Sequence, residues 1–172
     1  NYEDRKKTYY EKWEKLGIPT QAVTFPKGSS YRCERLILKE GFVTETLNGK
    51  PSAPLLGKIP SADIGSVRFI TLPNSWNHAN CDYIMLIYIM PLNPGLTKVR
   101  MTYLVHENAV ENEDYVTGDV IAVWNATSEQ DRFVCEAAQE GIYSSFYEPG
   151  PFSKLAEGWV EDFEQWYLKR IR

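Results

Sequence analysis

The chain has 172 residues, 43% of them hydrophobic and 24% charged, and a formal net charge of -4. This length suits one domain with a real hydrophobic core, and the acidic balance argues against a nucleic-acid partner, which needs a basic surface. No apolar run reaches the roughly 18 residues of a membrane span, and no segment resembles a signal peptide, so we expect a cytoplasmic protein with no membrane partner. The odd count of widely spaced cysteines favours buried, reduced thiols at Cys33, Cys81 and Cys135.

The first half of the chain predicts one helix followed by short strands. Apolar residues recur near a 3.6-residue period over Asn1 to Leu16, and Gly17 and Pro19 stop the pattern. Strand candidates follow at Gln21 to Phe25, Ser30 to Leu38 and Phe42 to Thr46, the last leading into a hairpin-type turn at Asn48-Gly49. Three prolines and Gly57 predict a loop over residues 51–64.

The strongest strand patterns lie in the middle of the chain, at Gly65 to Leu72, Asp82 to Met90 and Leu96 to His106. Their short connections predict an antiparallel meander. The stretch Asn74 to Asn80 fits either a strand or a polar turn, and the acidic residues from Glu107 to Asp114 fit a solvated loop.

From Tyr115 onwards the pattern becomes helical. We expect a break at Asn125-Ala126-Thr127, then a second helix capped by Thr127 or Ser128 and ended by Gly141. Ser153 is expected to cap a last helix, with an apolar series at Leu155, Trp159, Phe163 and Trp166. A meander followed by helices is typical of the α+β class. Because Asn1 is not a start methionine, we expect the chain to be a fragment of a longer protein.

A family resemblance rests on the segment from Trp124 to Tyr167. It contains the pattern E-x-D-R, C-E and Q-x-G-x-x-S, formed by Glu129, Asp131, Arg132, Cys135, Glu136, Gln139, Gly141 and Ser144. Further matching stretches occur in order upstream, at Tyr31 to Thr46, Leu72 to Trp76, Asp82-Tyr83 and Thr97 to Ala109. Together they resemble a Rieske-type non-haem iron, or ring-hydroxylating, oxygenase α subunit. The branch that the chain most resembles contains glycine betaine, choline and carnitine monooxygenases.

The resemblance implies a fold and a set of cofactors. Residues 1–172 would be the C-terminal portion of the catalytic domain, a partial helix-grip (START-like) fold in which an antiparallel sheet wraps around C-terminal helices. The family activates O2 at a mononuclear Fe(II) bound by two histidines and one carboxylate, and Asp131 is that carboxylate by resemblance. We expect Asp131 in the first helical turn, where the helix dipole favours the ionised form; a purely dipole-compensating Asp131 is the competing interpretation.

The chain lacks most of what such an enzyme needs. Its two histidines, His78 and His106, do not form the family's H-x-x-x-x-H, and the two motifs that bind a Rieske 2Fe-2S cluster are missing. The chain therefore supplies at most one of three iron ligands. The resemblance places the remaining ligands, the cluster, a reductase partner delivering electrons from NAD(P)H, and a homotrimeric assembly in the parent protein.

Five residues are candidates for lining a substrate pocket: Trp76, Asn77, His78, Trp124 and Gln139. Aromatic rings of this kind hold quaternary ammonium groups, although packing and turn roles are equally compatible with the sequence. The predicted function is hydroxylation or demethylation of a small organic substrate, either a quaternary ammonium or an aromatic compound. The alternative is a metal-free helix-grip module that binds a ligand without catalysis.

Overall fold

A computed structural model describes residues 1–24, 30–155 and 157–171. These residues divide into two compact units, Asn1–Val123 and Trp124–Arg172. Within them the elements are α1 (Tyr2–Lys15), β1 (Val23–Thr24), β2 (Tyr31–Leu36), β3 (Ser66–Thr71), β4 (Ser75–Ala79), β5 (Ile84–Asn93), β6 (Leu96–Leu104), α2 (Thr117–Ile142) and α3 (Gly158–Ile171). The combination confirms the α+β class, whereas the helix-grip arrangement of sheet and helices stays a prediction.

The strands of the described residues form one antiparallel sheet in the order β1-β2-β3-β4-β5-β6, so the predicted meander is confirmed and extended. β5 and β6 form its longest hairpin, with Ile84 opposite Leu104 at one end and a bulge near Pro91 at the other. The first strand candidate is observed only at Val23–Thr24, and Phe25 lies outside the described residues. Among the helices of the described residues, none has both the length and the apolarity needed to cross a membrane.

Helix α1 anchors the core of the first unit through Trp13. Its indole is fully buried and packs with Ile18, Ile37, Ile64 and Cys81. The indole Nε1 donates a hydrogen bond to the Asp63 carbonyl over 2.7 Å, so the buried ring has a partner for its polar atom. The helix therefore ties the start of the chain to the 51–64 loop.

The predicted strand over Phe42 to Thr46 is wrong. Residues 42–52, called the strap below, have turn and bend conformations. The backbone N–H of Val43 bonds to the carbonyl of Gly49, which closes a compact loop. Side chains of the strap are drawn into buried polar contacts with the sheet, and these contacts replace strand pairing.

The open question over Asn74 to Asn80 is resolved as a strand. Residues Ser75–Ala79 form β4, which pairs with β3 and β5 on its two sides. A polar sequence in a central strand is tolerated here because several of its side chains find hydrogen-bond partners within the unit.

The predicted helix break at Asn125-Ala126-Thr127 is also wrong, because α2 runs without interruption from Thr117 to Ile142. Asn and Thr cost only a fraction of a kcal/mol, about 0.5, in a helix interior, so the flanking residues override them. Asp131 consequently lies near the middle of α2, not in a first turn, and the dipole argument for its ionisation does not apply. The helix ends at Ile142, one residue after Gly141, which was expected to end it.

The last helix starts later than predicted. It begins at Gly158, so Ser153 does not cap it and Leu155 lies outside it with a fully exposed side chain. A separate turn precedes the helix, in which the Glu157 N–H bonds to the Ser153 carbonyl over 2.9 Å. The half-buried rings of Phe163 and Trp166 stack along one side of α3, with centroids 6.3 Å apart.

Candidate functional site

Strand β4 places its three candidate residues on two different faces of the sheet. Alternate residues of a strand point to opposite faces, so Trp76 and His78 share one face and Asn77 lies on the other. The rings of Trp76 and His78 are 5.5 Å apart, centroid to centroid. We call their side of the sheet the His78 face; Arg68 and Met85, the registered neighbours of His78, also belong to it.

Asn77 is buried on the opposite face and has a local role. Its amide donates to the hydroxyl of Ser75 over 2.7 Å and to the carbonyl of Phe69 over 3.3 Å. Both contacts lie within the sheet itself, so they account for how a polar side chain is accommodated at 3% exposure.

His78 is buried and bonded to the strap. Its Nδ1 lies 3.0 and 3.2 Å from the two carboxylate oxygens of Glu45. The same carboxylate accepts a hydrogen bond from the Asn80 amide over 3.1 Å and lies 3.6 Å from the guanidinium of Arg68. Glu45 thus connects three side chains that come from β3, β4 and the turn after β4.

The electrostatics of Glu45 are set by two opposing effects. Burial by itself raises the pKa of the Glu45 carboxyl, but the hydrogen bond and electrostatic attraction of His78, the hydrogen bond from Asn80 and the positive charge of Arg68 outweigh it, so the pKa is lowered from its usual 4.5. The ionised form is therefore the one that this environment stabilises.

A second buried carboxylate, Asp82, is hydrogen-bonded to other residues of the strap. It is fully buried and accepts hydrogen bonds from the Thr44 hydroxyl over 2.5 Å and the Ser52 backbone N–H over 2.8 Å. Burial and the adjacent Asp82 carboxylate raise the pKa of the Cys81 thiol to about 12, which keeps it protonated. All three cysteines are free thiols, as predicted, although Cys135 is exposed and Cys33 only partly buried.

The other candidates lie on α2 in the second unit. Asp131 is exposed, and Trp124 and Gln139 are half-buried. At about 100° per residue, Trp124 and Asp131 share one face of the helix because they are two turns apart, and Gln139 lies about 80° around the axis from Asp131. Arg132 is engaged by Glu129, whose carboxylate is 2.5 Å from its guanidinium.

Asp131 has the donor chemistry of an iron ligand, since Fe(II) accepts a hard carboxylate oxygen beside imidazole nitrogens. Within the described ranges, however, no three His, Cys, Asp or Glu side chains converge on a common point. His78 is held by Glu45, and the Nδ1 of His106 accepts the backbone N–H of Asn108 over 3.2 Å, as befits a residue just beyond β6. The residues that the structure describes therefore offer one candidate ligand of an iron site and not a complete site.

The sequence assigned no role to the residues that organise the His78 face, although Glu45 and Asp82 lie in stretches that match the family. Glu45 was assigned to a strand, and Arg68 and Asp82 were ordinary strand residues. The Glu45 to His78 contact spans 33 positions. The one available signal was the run of polar residues in β4, which requires buried partners from elsewhere in the chain.

Comparisons with known proteins agree with this structure. Residues 26–172 match the family model for the ring hydroxylating alpha subunit (catalytic domain). The chain is 40% identical over 156 residues to the glycine betaine monooxygenase oxygenase subunit of Chromohalobacter salexigens, covering 90% of this chain and 35% of that protein. It is also 40% identical over 160 residues to the subunit of the same name from Pseudomonas aeruginosa, covering 92% of this chain and 37% of that protein.

A more distant relative is the chloroplastic choline monooxygenase of Atriplex hortensis, 24% identical over 84 residues, or 49% of this chain. The chain spans little more than a third of the length of its bacterial relatives. The match over residues 26–172, together with the meander and the helices that follow it, shows that the chain belongs to the family of ring-hydroxylating oxygenase α-subunit catalytic domains.

Proposed function

We propose that the chain is the carboxylate-bearing part of an oxygenase active site that hydroxylates an N-methyl group of a small quaternary ammonium compound. The observation that supports this most is the 40% identity over nine-tenths of the chain to two glycine betaine monooxygenase oxygenase subunits. Hydroxylation of an N-methyl carbon gives a carbinol that loses formaldehyde, so the overall reaction is a demethylation.

In this proposal Asp131 binds the iron. Its exposed carboxylate projects from a continuous helix, which fixes a ligand more firmly than a loop does. Two histidines from the rest of the α subunit complete the ligand set, and the iron activates dioxygen when bound. A Rieske 2Fe-2S cluster in the same subunit, a reductase using NAD(P)H and a homotrimeric assembly belong to the proposal for the parent protein.

Trp76 and His78 of the first unit are proposed to contact the substrate, and Trp124 and Gln139 on α2 of the second unit are a separate proposal for the same role. Trp76 is 41% exposed, so its ring is accessible to a ligand. An aromatic ring attracts a quaternary ammonium group through its negative face, which suits the substrate class of the relatives.

The test uses the full-length α subunit with its reductase, NADH and glycine betaine. Asp131→Ala is expected to abolish formaldehyde release and to remove mononuclear iron while leaving the Rieske absorption spectrum unchanged. Glu140→Ala, an exposed carboxylate on the same helix, is the matched control and should retain both iron and activity. Turnover by the Asp131→Ala variant would exclude Asp131 as a ligand, and an inactive wild-type protein would favour a binding module without catalysis.

A further inference from the structure

The strap is anchored to the sheet by contacts that do not involve the Glu45 carboxylate. The Tyr83 hydroxyl donates to the backbone carbonyl of Glu45 over 2.6 Å. One residue earlier, the Thr44 hydroxyl is bonded to Asp82, and Asp82 also holds Ser52 at the end of the strap. The backbone is thus fixed on both sides of Glu45, and the buried carboxylate is available for a different role.

That carboxylate orders side chains of the His78 face. It contacts the His78 imidazole, the Asn80 amide and the Arg68 guanidinium. An ionised carboxylate accepts hydrogen bonds and donates none, so the hydrogen atom in the contact with His78 must be on Nδ1. The bond also fixes the orientation of the ring.

We propose that Glu45 is a positioning residue of the oxygenase, which acts through His78 by keeping Nδ1 protonated and fixing the orientation of the imidazole beside Trp76. The role rests on the proposed function, in which the His78 face contributes to the substrate pocket. His78 is 1% exposed while its neighbour Trp76 on the same face is 41% exposed. The buried ring is therefore held rigidly beside an accessible aromatic surface, the kind of second layer of contacts that keeps a binding group in its productive geometry.

The test compares three variants of the full-length α subunit. Glu45→Gln removes the charge and lets the amide offer either an oxygen or an N–H to Nδ1. Glu45→Asp keeps the carboxylate on a shorter side chain. Thr44→Val is the control, because it removes the hydrogen bond from the neighbouring strap residue to Asp82 and leaves the contacts of His78 intact. The measurements are kcat/KM for N-demethylation, the thermal midpoint, and the ¹⁵N chemical shifts of labelled histidine, with the His78 signals assigned by their loss in His78→Gln.

We expect wild-type His78 to show a single state in which Nδ1 is protonated. Glu45→Gln should lose this single state and lower kcat/KM about tenfold, the effect of one lost charge-assisted hydrogen bond. Glu45→Asp should restore part of both, while Thr44→Val lowers the thermal midpoint but keeps the histidine signature and kcat/KM within about twofold.

Two results would overturn the role of Glu45 with the oxygenase function intact: an unchanged His78 signal and activity in Glu45→Gln, or the same losses in Thr44→Val, which would make the effect one of folding. A wild-type subunit that demethylates no quaternary ammonium compound would instead refute the proposed function. The histidine spectrum would then still decide whether Glu45 locks His78, but the positioning role in catalysis would fall with the function.

Discussion

In the unit Asn1–Val123, most polar side chains around the His78 face are buried and hydrogen-bonded to other residues of that unit. In the unit Trp124–Arg172, the candidate iron ligand Asp131 lies on an exposed stretch of helix. In the first unit, Asp82 is fully buried and Glu45 nearly so; Asp82 accepts hydrogen bonds from Thr44, Ser52 and Cys81, and Glu45 accepts them from His78 and Asn80. In the second, Asp131 is exposed near the middle of α2. A buried, satisfied carboxylate orders its neighbours, while a metal ligand must be reachable by groups from other parts of the protein.

The largest expected difference between the two units concerns aromatic side chains. Trp13→Ala should lower the free energy of unfolding by about 4 kcal/mol, because it empties the centre of the core and leaves the Asp63 carbonyl without its donor. Phe146→Ala should change it by no more than about 0.5 kcal/mol, since that ring is 93% exposed. Urea denaturation measures both. Equal effects would mean that Trp13 does not form the core.

The isosteric change from Asp to Asn should affect Asp82 and Asp131 very differently, because one is buried and the other exposed. Asp82→Asn should cost about 2 kcal/mol, because an amide NH2 would face at least one of the Thr44 and Ser52 donors and leave it unsatisfied. Asp131→Asn should cost no more than about 0.5 kcal/mol because its side chain is exposed. Urea midpoints of the two variants, measured side by side, test the contrast. A large loss of stability in Asp131→Asn would assign that residue to folding and weaken the case for a ligand.

The local sequence was sufficient to predict the strands of the meander, since β3, β5 and β6 have apolar patterns bounded by Pro, Asn and Gly. It failed for the strap, where Thr44 and Glu45 have contacts with residues more than 30 positions away. Such pairings depend on the tertiary fold and leave no periodic signal. The sequence also overestimated the helix-breaking effect of Asn125 to Thr127, because weak propensities yield to the cooperativity of a long helix.

In the candidate site, too, the sequence identified some residues and missed the role of others. Asp131 was identified through a family pattern and not through local physics, and its expected place in a first turn was wrong. Trp76 and His78 were named as neighbours in sequence, and the strand geometry places them on one face while separating Asn77 from them. Glu45, which organises that face, lies in the matching stretch Tyr31 to Thr46, but the sequence assigned it no role.

A pH experiment tests whether Glu45 is ionised in the folded protein. Because its pKa is lowered from 4.5, the carboxylate stabilises the fold at pH values above 4.5, and this contribution is lost as the pH falls through the lower pKa of the folded state. Urea midpoints of the wild type and Glu45→Gln, measured from pH 6 to pH 3, should therefore differ most at pH 6 and converge towards pH 3. A difference that stays constant over this range would show that the charge of Glu45 contributes nothing.

The smallest expected effect concerns Gly141, the residue where the sequence pattern places the end of a helix and the structure continues α2. An added Cβ at Gly141 meets nothing within 4 Å, and its φ is not positive. Gly141→Ala should therefore raise the free energy of unfolding by about 0.5 kcal/mol, because alanine has the higher helix propensity. Gly118→Ala, at the other end of the same helix and equally open, should give a gain of similar sign.

The sign of the Gly141→Ala effect separates two structures of α2. If Gly141 were a left-handed residue that ends the helix, alanine would be strained there and the variant would lose about 1 kcal/mol. A gain in urea denaturation, together with unchanged or increased helical circular dichroism, would support a continuous helix in which Asp131 is flanked by more than two turns on either side. A loss would mean that the helix ends at Gly141, one residue short of its observed end at Ile142, with Asp131 and Gln139 still on the helix.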